Sequence, residues 1–263
     1  MNNRIVFCSD HINKNFSLKE AIEFSLSNKA MLEVHNKHFK ELFNLKSFNS
    51  IIAIHPHWRD YSLSTDDELI YNKGINFLKK LIEFAGNNHI KYIILHPEGY
   101  PPNLDIDIRY QIILESFRTL INFAKKYNII ILLENMPPAR IYPPSELPGY
   151  YIGEKLDDLI SIFDIDSNIE FIFDLGHFIC SYKIYGNKEL KILKSLNKKL
   201  TYVHVHDNDG TKNNHEPLKR ESSIQILNMI EEYYKPIYSI EVNPIFNGLD
   251  ITLKNLYQII KEK

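Results

Sequence analysis

Leu200–Thr201–Tyr202–Val203–His204–Val205–His206–Asp207–Asn208–Asp209–Gly210 is a short, nearly continuous apolar run that ends in histidines and breaks into a turn. A run apolar on both parities is how a parallel strand buried on both faces reads. The pattern recurs at Ile5–Cys8, Met31–His35, Ser50–His55, Tyr92–His96, Ile129–Glu134, Phe171–Asp174 and Ile237–Val242. Amphipathic stretches lie between these runs. Ser17–Leu18–Lys19–Glu20 and Thr65–Asp66–Asp67–Glu68 are capping-box patterns that predict helices toward Asn28 and about Asn87. Asp107–Tyr127 places Ile112, Ile113, Phe117, Leu120, Ile121 and Ala124 on one helix face. Glu154–Phe163, Lys188–Leu196, Glu221–Tyr234 and Ile251–Lys261 read as further helices, and Lys37–Lys46 as a short one. Strands that alternate with helices in this way predict a (β/α)8 TIM barrel, one domain over residues 1–263. The rival doubly wound sheet would carry a glycine fingerprint after a strand, and none is present.

Composition agrees. Of 263 residues, 44% are hydrophobic and 24% charged, which excludes disorder and collagen. Lys plus Arg is 31 against 33 for Asp plus Glu, so the net charge of −2 supplies no bulk field for nucleic acid. Cys8 and Cys180 are the only cysteines, which excludes a disulfide framework. Met1–Asp10 has no signal-peptide pattern, and no apolar run approaches the roughly 18 residues of a membrane helix. The expectation is a soluble cytoplasmic protein with no membrane partner.

Chemistry concentrates at the strand ends. The third strand ends His55–Pro56–His57–Trp58 and the fourth His96–Pro97–Glu98. The fifth ends Glu134–Asn135 and the sixth Asp174–Leu175–Gly176–His177. The seventh ends His204–Val205–His206–Asp207 and the eighth Glu241–Val242. Burying so many ionisable groups together is prohibitive without a compensating ion. Imidazole with carboxylate suits divalent Zn, Mn, Co or Fe. Parity turns His204 and His206 to one face, and His55 and His57 likewise, so both members of each pair remain candidates.

These motifs, taken in order, resemble the xylose-isomerase-like barrel superfamily, which includes sugar isomerases and epimerases and the endonuclease IV type of abasic-site nuclease. In the isomerase branch the resemblance implies one metal held by Glu134, Asp174, His204 and Glu241. It makes the two glutamates the acid and base, and His177 a contact to the sugar. The implied reaction is proton transfer beside a metal-polarised carbonyl of a sugar or sugar phosphate. In the nuclease branch it implies three zincs, with His55, His96, Glu134, Asp174, His177, His204, His215 and Glu241 as matching ligands. The ninth ligand of that branch is an aspartate, and Asn213 stands in its place. The leading expectation is a metal-dependent sugar isomerase or epimerase with a small sugar as partner. A zinc phosphodiesterase on abasic DNA is the alternative, and a non-catalytic barrel that keeps a metal for stability is the third. His215–Glu216–Pro217–Leu218–Lys219–Arg220 and Glu98 depart from the glycines usual in relatives, and Ile5–Asp10 lacks a family signature.

Other polar residues have two readings. Glu33 and His35 share a face at the end of the second strand, as mouth lining or local hydrogen bonding. His11, His38 and His89 read as surface residues. Arg59, Arg109, Arg140, Lys183, Lys212 and Arg220 read mostly as solvated cations, though any could meet an anionic substrate. Asp207 and Asp209 either orient histidines or form turns. Trp58 suits stacking on DNA or on a sugar ring. Met136–Gly153, with Pro137, Pro138, Pro143, Pro144 and Pro148, reads as an insertion or a lid.

Overall fold

The computed structural model describes residues 4–98, 103–141, 149–196 and 200–261. Eight parallel strands close into a barrel in chain order: β1 (Ile5–Cys8), β2 (Met31–His35), β3 (Ile51–His55), β4 (Tyr92–Leu95), β5 (Ile130–Glu134), β6 (Ile169–Asp174), β7 (Leu200–Val205) and β8 (Ile237–Ile240). Closure comes from β1 against β8, with Val6 opposite Ser239 and Phe7 opposite Ile240. The helices are α1 (Ser9–Ile12), α2 (Leu18–Ser27), α3 (Phe39–Leu42), α4 (Glu68–Asn87), α5 (Ile106–Ala124), α6 (Asp157–Phe163), α7 (Leu175–Tyr185), α8 (Asn187–Ser195), α9 (Glu221–Tyr233) and α10 (Leu249–Lys261). The fold is the (β/α)8 barrel that the alternation predicts. Among the described residues, no helix is long and apolar enough to cross a membrane.

Strand parity divides the core in two. Outward residues such as Phe7, Val34, Ile54, Leu133, Phe173 and Val205 pack under the helices. Inward residues Val6, Ala53, Tyr92, Ile94, Leu132, Ile172 and Tyr202 fill the lower barrel. One inward step further along each strand, two residues on, the lining turns polar. Ala53 leads to His55, Ile94 to His96, Leu132 to Glu134, Ile172 to Asp174 and Tyr202 to His204. The barrel therefore has an apolar plug beneath a ring of ionisable groups.

Local differences have physical reasons. The Ser17–Glu20 capping box forms as expected, with both reciprocal bonds. The second one does not: Asp67 caps α4 through Ile70 N–H, and Thr65 Oγ1 accepts from Asp67 N–H instead. α7 lies within 175–187, where the sequence pattern marks no helix. Asp174 ends β6 and caps α7 at once, so no turn residues separate the two. His38 is buried between Asp10 and Glu41 rather than exposed. Asp207 forms a clamp, accepting from the Lys219 and Arg220 N–H groups and Ser223 Oγ, which fixes the start of α9.

Several cations have structural duties. Arg109 is buried and donates to both Glu98 oxygens at 2.8 Å. Glu98 Oε2 also accepts from Ile152 N–H at 3.0 Å, so the pair ties β4 to α5 and to the start of α6. This is the use of Glu98. Arg140 lies over Tyr185, Arg59 over Trp58, and Lys183 donates to the Asp209 carbonyl. Pro137 and Pro138 are held where Met136 N–H donates to Gly153 O and Ala139 N–H to Glu154 Oε2. Pro143, Pro144 and Pro148, on which the lid reading turns, lie outside the described residues.

Candidate metal centre

The C-terminal mouth of the barrel opens on a cavity of about 390 Å³, within the usual range for small-ligand sites. His35, His55, His96, Glu134, His177, His215 and Glu241 are among its lining residues, with Trp58 and Tyr151 at one wall. Among the described residues, no lysine or arginine lines it. Trp58 packs edge-on to Tyr151, with ring centroids 6.2 Å apart.

Glu134 is central. Its Oε1 lies 3.4 Å from His96 Nε2, His177 Nδ1 and His204 Nδ1, and its Oε2 lies 3.4 Å from His55 Nε2. His204 lies between two carboxylates, with Nδ1 toward Glu134 and Nε2 3.5 Å from Glu241 Oε1. Asp174 Oδ2 lies 3.6 Å from His204 Nδ1, and its Oδ1 accepts from His177 N–H at 2.6 Å. Asn135 explains the Glu134–Asn135 motif: its amide both donates to the Asp174 carbonyl and accepts from Asp174 N–H. Gly176 explains the Asp174–His177 spacing, because a Cβ there would sit 1.9 Å from His206 Cε1.

The two open histidine pairs resolve differently. His55 is buried in the mouth, whereas His57 is exposed beyond the strand end and stacks on Trp58. His204 and His206 both face inward, one above the other. The lower one, His204, reaches Glu134 and Glu241, and His206 Nε2–H donates to Asp174 Oδ2 at 3.0 Å.

Glu33 is the residue that spacing leaves open, and it lies fully buried beneath the site. Its Oε1 accepts from His35 Nε2 at 2.8 Å, His55 Nδ1 at 3.2 Å and His204 Nε2 at 3.1 Å, and its Oε2 accepts from the Tyr202 hydroxyl at 2.9 Å. His11, expected at the surface, instead stacks on His215 with centroids 5.0 Å apart and lines the cavity. The short helix α1 turns it inward, which apolar periodicity cannot reveal.

Electrostatics follow the geometry. Burial alone would raise the Glu241 carboxyl, but His204, His35 and His11 outweigh it and hold it well below the ordinary range. Burial likewise opposes ionisation of Glu134 and Asp174, and neighbouring histidines win in both cases. Burial would lower His204, yet Glu241, Glu33 and Glu134 raise it well above its ordinary value. His55, His177 and His215 are pushed down, each first by burial, which favours neutral imidazole, the form that binds metals.

A divalent ion fits this donor set. Glu134 Oε2, Glu241 Oε1, His204 Nδ1 and His96 Nδ1 are buried without a hydrogen-bond partner. Such orphaned atoms are rare in folded proteins unless something else satisfies them. Groupings of convergent donors include Glu134 with Asp174 and His204, and Glu134 with His55 and His96. All eight residues expected as ligands thus come to the mouth, with Glu33 and His206 beside them.

A match to the xylose isomerase-like TIM barrel family runs over residues 20–253. The chain belongs to that family. Among curated relatives, it is 27% identical over 241 residues to the uncharacterized protein MJ1311 of Methanocaldococcus jannaschii, covering 86% of this chain and 77% of that one. Among solved structures, a D-tagatose 3-epimerase-like protein superposes with a TM-score of 0.76 at 22% identity, covering 98% of both chains. An IolI protein with a bound zinc atom superposes with a TM-score of 0.78 at 15% identity, again over 98% of both chains. At these identities the superpositions establish the shared family fold.

Proposed function

We propose that this protein is a divalent-metal-dependent isomerase or epimerase of a neutral sugar. The observation that carries this reading is the placement of Glu134 and Glu241 on opposite edges of one imidazole, His204, across a single cavity. Carboxylates so opposed can meet a substrate carbon from both faces. Glu134, Asp174 and His204, which converge in one donor group, would hold the ion, which when bound would polarise a carbonyl and its neighbouring hydroxyl.

The residues supply the proton transfer. One glutamate takes the proton from the carbon beside the carbonyl. Return by the same group to the adjacent carbon isomerises the sugar, and return by the other glutamate from the far face epimerises it. His177 Nδ1–H donates to Asn135 O at 2.8 Å, which leaves Nε2 free toward the substrate. Trp58 and Tyr151 offer apolar faces to a sugar ring. Among the described residues the cavity wall carries no lysine or arginine, which favours an unphosphorylated substrate. The epimerase-like and zinc-bound neighbours support the reading as analogy.

One grouping favours a second reading. His55, His96 and Glu134 form a further ligand set that one-metal chemistry does not need, and it suits a multinuclear zinc phosphodiesterase. The lack of lysine and arginine among the described wall residues and the net charge of −2 weigh against a DNA substrate. Glu134→Gln and Glu241→Gln test the first reading. Each keeps side-chain shape and should cut solvent-deuterium exchange into an accepted sugar by roughly 10²–10⁴-fold. Exchange at the native rate in both variants would refute the assigned roles.

A further inference from the structure

We propose that the substrate is a glycosylated sugar, whose second ring lies in a cavity beside the mouth with His11 at the junction. The inference rests on reading the mouth as a sugar site, and it names the substrate class of that site. The second cavity measures about 240 Å³ and lies where the β8–α10 connection meets α1. His11, Ile12, Val242, Asn243, Asn247 and Asp250 are among its lining residues. His11 also lines the main cavity, so one imidazole forms a wall of both. β1 ends at Cys8 and β8 at Ile240, so the chain that follows each stands on the C-terminal face, as the mouth does.

The junction is held in place from several sides. His11 Nδ1 lies 3.0 Å from Cys8 Sγ, and the ring stacks on His215 with centroids 5.0 Å apart. Asp10 lines the main cavity next to it, backed by His38, whose buried Nε2 lies 3.7 Å from Asp10 Oδ1. Asn243 N–H donates to His215 O at 2.8 Å, which ties a wall of the second cavity to a wall of the first. His215 Nδ1 in turn lies 3.7 Å from Glu241 Oε2. A sugar whose reacting carbon sits between Glu134 and Glu241 therefore meets His215 and then His11 along this side. A substituent on that sugar passes His11 into the second cavity.

The lining gives the class of the substituent. Asn243 Oδ1 accepts from Ile245 N–H at 3.2 Å, which leaves its amide nitrogen as a donor. Among the described residues, neither the Asn247 amide nor the Asp250 carboxylate has a hydrogen-bond partner, and both are exposed at the outer edge. Ile12 and Val242 add aliphatic surface. A few polar groups over aliphatic side chains suit a ring that carries hydroxyls on one edge and C–H bonds on its face. Among the described residues no lysine or arginine lines this cavity, and Asp250 repels a phosphate or carboxylate. The second ring is therefore a neutral sugar.

Saturation-transfer NMR titration of the zinc-loaded full chain tests it, with isomaltulose, maltulose and lactulose against free fructose. At least one of these disaccharides is expected to bind about tenfold more tightly than fructose, the worth of one or two added hydrogen bonds. Asn247→Gly, which suits the left-handed φ of 46° there, combined with Asp250→Leu should remove that gain and leave fructose binding unchanged. Disaccharides that all bind no better than fructose, or not at all, would overturn the proposal. So would a gain that survives both substitutions. Exchange of solvent deuterium into fructose without any gain for the disaccharides would leave the function reading standing and this one refuted. The gain without exchange into any sugar would refute the proton-transfer reading and leave the second-ring site in place.

Discussion

His204 Nε2 lies 3.1 Å from Glu33 Oε1, beneath the floor of the site, so His204 presents Nδ1 to Glu134 and Asp174. A carboxylate behind a histidine fixes its tautomer and raises its basicity as a ligand. Glu33 does this for His204 and His55 together, and it also holds His35. We expect Glu33→Gln to retain the barrel but weaken metal binding by about 10–100-fold. Competition against a chromogenic chelator measures this. Unchanged affinity would reduce Glu33 to a packing residue.

Removing the ion should destabilise the chain. Glu134 Oε2, Glu241 Oε1 and His204 Nδ1 then stay buried with no hydrogen-bond partner. At free metal 1,000-fold above Kd, binding contributes about 4 kcal/mol, or roughly 8–16 °C in melting temperature for a chain of this class. Calorimetry of chelated and zinc-reloaded protein should show that difference, and identical melting curves would argue against a filled site.

Gly176→Ala should damage the mouth without replacing a proposed ligand. The new Cβ would fall 1.9 Å from His206 Cε1 and force that ring away from Asp174. Overpacking of this kind costs about 1–3 kcal/mol. Denaturant unfolding reads the loss, and a fall in bound zinc should accompany it.

Glu98→Ala tests an anchor remote from the chemistry. It strands the buried Arg109 guanidinium, which should cost about 3–5 kcal/mol. The double variant with Arg109→Met should recover much of that, since both charges are then gone. Failure of the second substitution to recover stability would point instead to the Glu98 bond with Ile152 N–H.

The barrel and most of its mouth were legible because strand parity carries both. An apolar inward residue such as Leu132 or Ile172 predicts that the residue two places on also faces inward, and there stand Glu134 and Asp174. Depth along the strand was not legible. His204 and His206 share parity, and only the closed barrel places the first between Glu134 and Glu241 and the second above Asp174. The part played by Glu33 needs histidines from β3 and β7 brought to β2, which no local pattern encodes. α7 escaped notice because Leu175, Phe178, Ile179 and Cys180 crowd apolar residues along it, so its amphipathic stripe is weak.

The most direct test of the central claim is proton exchange itself. The zinc-loaded, manganese-loaded and cobalt-loaded protein would each be incubated with free ketoses and aldoses in D2O and followed by NMR. Deuterium entering the carbon beside the carbonyl of at least one unphosphorylated sugar, with loss of exchange in Glu241→Gln, is the predicted result. No exchange into any sugar with any of these metals, alongside nicking of an abasic DNA duplex, would contradict it.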